Sequence, residues 1–545
     1  MTGADLVLSL RGVTKRFGAL LANDAIDLDL RGGEILALLG ENGAGKTTLM
    51  NILFGHYVAD GGSVHVARTG GALKHDPGKW TPLFGKGHAT SRELERDDGS
   101  ETSHPALEAL APGSPRAALA AGIGMVHQHF ALAESLTVLE NIVLGTQPLG
   151  APTLRLRAAR AKLERLMRES GLVVRPNARV FELSVGEKQR VEILKVLFRD
   201  ARILVLDEPT AVLTPQEIDG LFAVLRRLAR RGFSIVFISH KLGEVVALAD
   251  RVVVLRHGRK VADQPVAAAD RNRLAALMVG REVTPSRREA RSAGDVVLEL
   301  DRVSVRGEQG RAGLVEASLK VCAVEIVGIA GVSGNGQAAL AGLIAGTLPA
   351  AAGSFTIAGL RRTASPRAMH AAGVAAIPED RHREGIVGSL SVAENLVLEN
   401  LDSPEVQRAG LIRSKRVRAR AQQAIAAYDV RCPGPETPIR LLSGGNIQKV
   451  ILARALDRDP RVILANQPTR GLDVGASADV HRRLLAARMR GAGIVLISED
   501  LDELLALCDR LAVMVRGRLT EAVPVETLTR ERIGLLMAGQ NDEAA

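Results

Sequence analysis

The segment Gly40-Glu41-Asn42-Gly43-Ala44-Gly45-Lys46-Thr47 places three glycines, a cation and a hydroxyl within eight residues. Glycines let successive backbone N–H groups curl around an anion, and a helix that starts at the end of such a turn points its positive end at the same spot. The pattern GxxxxGK[ST] after an apolar run (EILALL) predicts a nucleotide-phosphate cradle built by Gly40 to Gly45 and continuing into Thr48. Lys46 would reach the β- and γ-phosphates, and the Thr47 hydroxyl would help to hold Mg2+. A second apolar run, ILVLDEPT from Ile203, ends in two adjacent carboxylates. Asp207 is expected at the metal and Glu208 near an attacking water as general base. The chemistry described is phosphoryl transfer to water.

These groups must be carried by buried strands. EILALL, RILVLD, SIVFIS and RVVVLR are short apolar runs bounded by turn residues, and they alternate with amphipathic stretches such as EIDGLFAVLRRLARR. That alternation predicts an α/β fold with a largely parallel core sheet. The chain is also an internal repeat. GENGAGKTTL from Gly40 matches GVSGNGQAAL from Gly331 at an offset of 291, as GGSVHVA matches AGSFTIA. SPRAALAAGIG from Ser114 matches SPRAMHAAGVA from Ser365 at 251, and LSVGEKQ from Leu183 matches LSGGNIQ from Leu442 at 259. The fall from 291 to 251 places 40 extra residues in the first half, between about Ala67 and Gly113. Rich in Gly, Pro and polar residues, this stretch reads as a surface insertion, either a mobile hairpin extension or a partner contact. The expected organisation is a first domain over 1–280, a charged linker over 281–295 and a second domain over 296–545.

Composition narrows the class. With 545 residues, 46% hydrophobic, the chain can bury more than one core without disulfides or a structural metal. Cys322, Cys432 and Cys508 are too scattered for a disulfide framework or a cysteine zinc site and suit a reducing cytosol. The N-terminus shows no signal peptide. The 35 residues from Ile326 to Leu360 carry no formal charge, which is long enough for a membrane span. Their SGNGQ centre and Pro349 suit a turn around a ligand instead. The net charge of +10 is not gathered into a stripe. The Arg-rich runs from Leu154 and Leu411 have helical spacing and read as solvated helix faces, so nucleic acid is not an expected partner.

LSVGE at Leu183, VHQHF with Gln128 and FISH with His240 resemble the signature motif, glutamine loop and histidine switch of ABC-transporter ATPases. The resemblance implies two tandem P-loop ABC-ATPase domains. Each has a mixed or parallel core sheet, an antiparallel β subdomain and a helical subdomain. It implies ATP and Mg2+ as ligands, Gln128 at the metal and in catalysis, His240 at the γ-phosphate, and Phe17 stacked on adenine. GMVHQHF, TAVLTPQE, IPEDRHREG, LSGGNIQK, QPTRGLDVGA and ISEDLDEL look like one branch, the ATP-binding subunits of bacterial simple-sugar and nucleoside importers. Closest in pattern are the nucleoside importers served by basic-membrane-protein lipoproteins. That branch implies membrane permease subunits as partners, a substrate-binding lipoprotein indirectly, and a peripheral place on the cytoplasmic face of the inner membrane. Permease contacts would fall in His129–Gly145 and Asp380–Leu396. The competing class, soluble tandem ABC proteins acting on ribosomes or nucleic acid, usually keeps both sites intact and carries a longer linker.

The second half has changed its chemistry. Lys46 aligns with Gln337, Thr47 with Ala338, Asp207 with Asn466 and Glu208 with Gln467. Gln128 aligns with Glu379, His240 with Glu499 and Phe17 with Glu308. Conversely, the second half keeps LSGGN (Leu442–Asn446) and Asp473, where the first has LSVGE and Thr214. In ABC ATPases the signature of one domain closes over the nucleotide of the other. The resemblance therefore implies that the two halves pair within the chain. One hydrolytic site would join Lys46, Asp207, Glu208 and His240 to Ser443, Gly444, Gly445 and Asp473, and the other site would be degenerate.

Overall fold

The computed structural model describes residues 5–18, 20–67, 107–127, 130–146, 155–210, 213, 215–239, 241–280, 288–307, 312–537 and 539. The chain divides into two compact units, Met1–Leu213 with Glu217–Arg281, and Thr214–Gln216 with Glu282–Ala545.

The first unit is built on a six-stranded sheet in the order Arg259–Pro265, Arg251–Arg256, Ile35–Gly40, Ser234–Ile238, Ile203–Asp207, Ile123–Val126. All neighbours are parallel except the edge pair of Arg251–Arg256 with Arg259–Pro265. Strands Ile35–Gly40, Ile203–Asp207 and Ser234–Ile238 are buried at every position, as expected for central parallel strands covered on both faces. Each fully buried Leu, Ile or Val contributes about 1.5–3 kcal/mol. A separate antiparallel sheet runs Leu20–Arg31, Leu6–Phe17, Gly61–Ala67, Leu107–Ala109. Along Leu20–Arg31 the period-two pattern buries Ile26, Leu28 and Leu30 while the residues between face outward. Helices Val138–Val143, Leu156–Ser170 and Val185–Phe198 pack together as a helical group.

The second unit repeats the plan. Its main sheet runs Val374–Ile377, Val462–Asn466, Gly493–Ile497, Ile326–Ala330, Arg510–Val515, Arg518–Leu519, with Val523–Pro524 also paired to Arg510–Val515. Its antiparallel sheet runs Leu314–Cys322, Val296–Val305, Ala352–Ile357, Leu360–Arg361. The duplication extends to polar contacts at the start of the central strand. Glu34 pairs with Arg251 at 2.6 Å, and Glu325 with Arg510 at 2.7 Å. Asp250 accepts the Ile35 N–H at 2.9 Å, and Asp509 accepts the Ile326 N–H at 2.8 Å.

Three readings are refined. Leu107–Ala109 lies within the expected insertion, yet it pairs with Gly61–Ala67 as Leu360–Arg361 pairs with Ala352–Ile357. The extra length therefore falls, in sequence, between two paired strands that both units have, and 68–106 lies outside the described residues. The Arg-rich run from Leu411 is not helical throughout. Leu411–Ile412 is a short strand paired with Gln407–Arg408, and the helix begins at Ser414. Of the charged segment 281–295, residues 281–287 lie outside the described residues, and Arg288 packs on the second unit through Asp509 and Glu526. Among the described residues no helix is long and apolar enough to cross a membrane. The uncharged stretch from Ile326 instead forms a strand, a glycine turn and the helix Gln337–Ala345.

Candidate functional site

The glycine-rich turn of the first unit follows the buried strand Ile35–Gly40 and opens the helix Lys46–Leu53. Two of its glycines are sterically required. A Cβ on Gly40 would lie 2.5 Å from the Leu255 carbonyl oxygen, and one on Gly45, at φ 98°, would lie 2.3 Å from that of Ala22. The helix has no acidic residue in its first turn and no side-chain cap at Gly45, so no carboxylate of its own opposes the positive end of its dipole. Lys46 is buried, and its Nζ donates to the carbonyls of Gly40 (2.7 Å) and Glu41 (3.0 Å). Thr47 is exposed and Thr48 half-buried in the same turn.

Asp207 closes its strand at 7% exposure. Burial first, and the neighbouring Glu208 second, push its carboxyl up to about 6, with Lys46 pulling the other way. Glu208 has φ 47°, a left-handed conformation rare outside glycine, and its N–H donates to Ile238 at 3.0 Å. The arrangement gathers one buried cation, two adjacent carboxylates and an uncapped helix N-terminus, which suits binding and polarising a polyphosphate. Phe17 ends its strand at 43% exposure, edge-on to Tyr57 with ring centroids 5.5 Å apart. Gln128, His240 and Thr214 lie outside the described residues.

In the second unit the same backbone carries different side chains. Gln467 has φ 49°, and its N–H donates to Ile497 at 2.8 Å, reproducing Glu208 and Ile238. Asn466 ends a fully buried strand where the first unit has Asp207. Gln337 turns onto its own loop: its Nε2 donates to Val332 at 2.9 Å, and its Oε1 accepts the Asn335 N–H at 3.0 Å. One of the N–H groups such a turn could offer to a phosphate is thus taken by an amide. Glu379 and Glu499 are present at the glutamine-loop and histidine-switch positions, and Glu308 lies outside the described residues.

The two signature helices differ in the reverse sense. In the first unit Ser184 caps Val185–Phe198 through a reciprocal box with Glu187, which puts a carboxylate in the first turn. In the second unit Ser443 precedes Gly444–Leu456, with no acidic residue in the first turn, and its hydroxyl accepts from Asn446 at 2.9 Å. That N-terminus therefore suits an anion better than the first, because a helix end already neutralised by Glu187 attracts a phosphate less. Asp473 caps Val474–Met489 by accepting the Ala476 N–H at 2.8 Å.

The sequence profile described as ABC transporter matches residues 23–211 and 314–470. The chain belongs to the ABC transporter family. The nucleoside import ATP-binding protein NupA of Lactococcus lactis subsp. cremoris is 41% identical over 539 residues, 98% of this chain and 99% of the relative. The glucose import ATP-binding protein TsgD13 of Haloferax volcanii is 41% identical over 570 aligned positions, 99% of this chain and 96% of the relative. Among solved structures, archaeal ribosome recycling factor aABCE1 in complex with stalk protein aP1 matches with a TM-score of 0.61 at 18% identity. That match covers 97% of this chain and 92% of that one, a likeness of fold. As a member of this ABC family the chain binds ATP and hydrolyses it.

Some residues that shape the ABC site escape motif reading. Asn23 is fully buried, and its Nδ2 donates to the Gly45 carbonyl at 3.1 Å, bracing the turn from the antiparallel sheet. The period that buries Ile26, Leu28 and Leu30 would turn Asn23 outward, and it is the break at Ala25, with φ 47°, that brings it inside, so strand alternation carries no signal for it. Glu244 is buried and accepts from Thr210 at 2.6 Å and Ser239 at 2.8 Å, joining the segment after the acidic pair to the one leading to His240. Glu503 does the same with Thr469 at 2.9 Å and Ser498 at 2.5 Å. The offset of 259 shared by these three residues was the available signal.

Proposed function

We propose that this chain is the ATP-hydrolysing subunit of an importer for a nucleoside or simple sugar, working through separate membrane permease subunits at the cytoplasmic face. The observation that carries the reading is the contrast within one repeated backbone. Glu208 and Gln467 share φ and main-chain partner, yet only the first unit places a lysine and two carboxylates there. The full-length similarity to import ATP-binding proteins supports the transport role. A substrate-binding lipoprotein would deliver the substrate to the permease.

In this reading residues Gly40 to Thr48 cradle the ATP phosphates, Phe17 stacks on the adenine and Lys46 neutralises the β- and γ-phosphates. Glu208 takes the proton of the attacking water, while Gln128 and His240 orient that water and the γ-phosphate. Ser443, Gly444, Gly445 and Asp473 of domain 296–545 complete this site, and 281–295 links that domain to 1–280. A buried Asp207 with a raised pKa and an exposed Thr47 hydroxyl fit Mg2+, which commonly uses one or two protein ligands alongside phosphate oxygens. Asp207, Thr47 and Gln128 would hold the ion, whose charge offsets that of the phosphate oxygens. The site on the second unit's turn does not hydrolyse, because Gln467 cannot take a proton as a carboxylate does.

Glu208→Gln tests this directly. Steady-state ATP turnover should fall at least about a hundredfold, whereas Gln467→Ala should leave it nearly unchanged. Comparable turnover in Glu208→Gln would refute the assignment.

A further inference from the structure

The second unit carries a guanidinium with no counterpart in the first. Arg381 opens the turn Arg381–Gly385 after strand Val374–Ile377, and Asp380 fixes that turn by accepting the His382 and Arg383 N–H groups at 3.0 Å each. One arm of the half-buried Arg381 side chain donates to the carbonyl of Gly444, at the start of the signature helix, at 3.2 Å. The other donates to the carbonyl of Arg470, three residues before Asp473. Arg470 in turn pairs with Glu379. Three segments distant in sequence are thus tied by one planar fork, which holds two acceptors at a fixed spacing where an ammonium would hold one.

The surroundings are fitted to that fork. A Cβ on Gly444 would sit 3.2 Å from Arg381 Nη1, tighter than side chains normally approach, and one on Gly471 would sit 3.8 Å from Nη2. At the corresponding positions the first half has Phe130 for Arg381, Val185 for Gly444, Ala211 for Arg470, Val212 for Gly471 and Thr214 for Asp473. Every part of the arrangement is therefore missing from the half whose signature helix is already closed by the Ser184–Glu187 box.

We propose that Arg381 is a positioning residue for ATP hydrolysis: it sets the spacing between Ser443–Gly445 and Asp473 so that both meet the nucleotide held by Lys46. The inference rests on the composite-site reading above. Glu379, standing where the first half has its glutamine, serves this clamp by holding Arg470. The clamp acts only when the signature is engaged, so its loss slows turnover without weakening the grip of the first unit's turn on ATP.

The test uses the purified full chain. Arg381→Ala should lower kcat about tenfold, with equilibrium ATP affinity changed less than about twofold. Arg381→Lys, which keeps the charge but reaches one carbonyl, should recover part of the loss. In an Asp473→Ala background, Arg381→Ala should cost little more, because both changes disable one unit. Wild-type kcat in both Arg381 variants, or a loss fully additive with Asp473→Ala, overturns the proposal. Ser443→Arg separates the two levels. If it leaves kcat intact, the composite-site reading itself fails. If it abolishes turnover while the Arg381 variants are unaffected, only the clamp fails.

Discussion

Replacing Asp207 with asparagine should stabilise the first unit while ending ATP hydrolysis. The carboxyl is 7% exposed and held at about 6, against an ordinary 3.8, mainly by burial and then by the charge of Glu208. A carboxyl that ionises less readily in the folded chain than in the unfolded one lowers stability once pH exceeds its unfolded value. Below about pH 4 both states hold the proton and the cost disappears; it grows between about pH 4 and 6 and is constant above. At about 1.4 kcal/mol per pH unit, that window of about two units amounts to about 3 kcal/mol. An amide has no such cost, and Asn466 shows that this backbone accepts one at the end of a buried strand. Urea denaturation of wild type and Asp207→Asn, without divalent cation or nucleotide, should show the variant up to about 3 kcal/mol more stable at pH 8, closing towards pH 4. The matching rise in the melting temperature of the first unit is roughly 6–12 °C at neutral pH. A gap independent of pH, or a wild type as stable as the variant at pH 8, would refute the electrostatic argument.

Two further outcomes follow from the turns. Gly45→Ala forces a Cβ against the Ala22 carbonyl at a φ of 98°, so it should destabilise the first unit by about 1–3 kcal/mol and raise KM for ATP. An unchanged melting temperature and KM would show that the turn yields easily. Gln337→Lys removes the amide that occupies Asn335 N–H and Val332 carbonyl, so nucleotide binding to the second unit should strengthen in equilibrium titrations. It should not restore hydrolysis, because Ala338, Asn466 and Gln467 remain; turnover in Glu208→Gln/Gln337→Lys above that of Glu208→Gln would contradict this.

The fold class was legible because its central strands are unbroken apolar runs, and the duplication because glycines and apolar residues recur at constant offsets. The placement of Lys46, Asp207 and Glu208 next to the ends of buried strands was legible for the same reason, each lying at a fixed step from such a strand. What could not be read are contacts made by a side chain with another element's backbone. Asn23 bracing Gly45 and Arg381 spanning Gly444 and Arg470 depend on the approach of segments tens of residues apart. No spacing rule encodes that approach. Leu411–Ile412 was misassigned on a related ground: a two-residue strand is too short for its period to compete with the helical pattern beginning at Ser414.

The duplication also decides how the backbone at Glu208 should be understood. A non-glycine residue at φ 47° beside candidate catalytic groups invites the idea that strain is stored there for the reaction. Gln467 adopts φ 49° with the same kind of N–H bond to the neighbouring strand, although its unit has lost the lysine, the hydroxyl and both carboxylates. A conformation shared by a unit without those side chains belongs to the way the chain leaves the sheet, fixed by Ile238 in one unit and Ile497 in the other. At this turn the units differ in side chains rather than in backbone, which is why single substitutions such as Asp207→Asn and Gln337→Lys are expected to move one unit towards the other without refolding either.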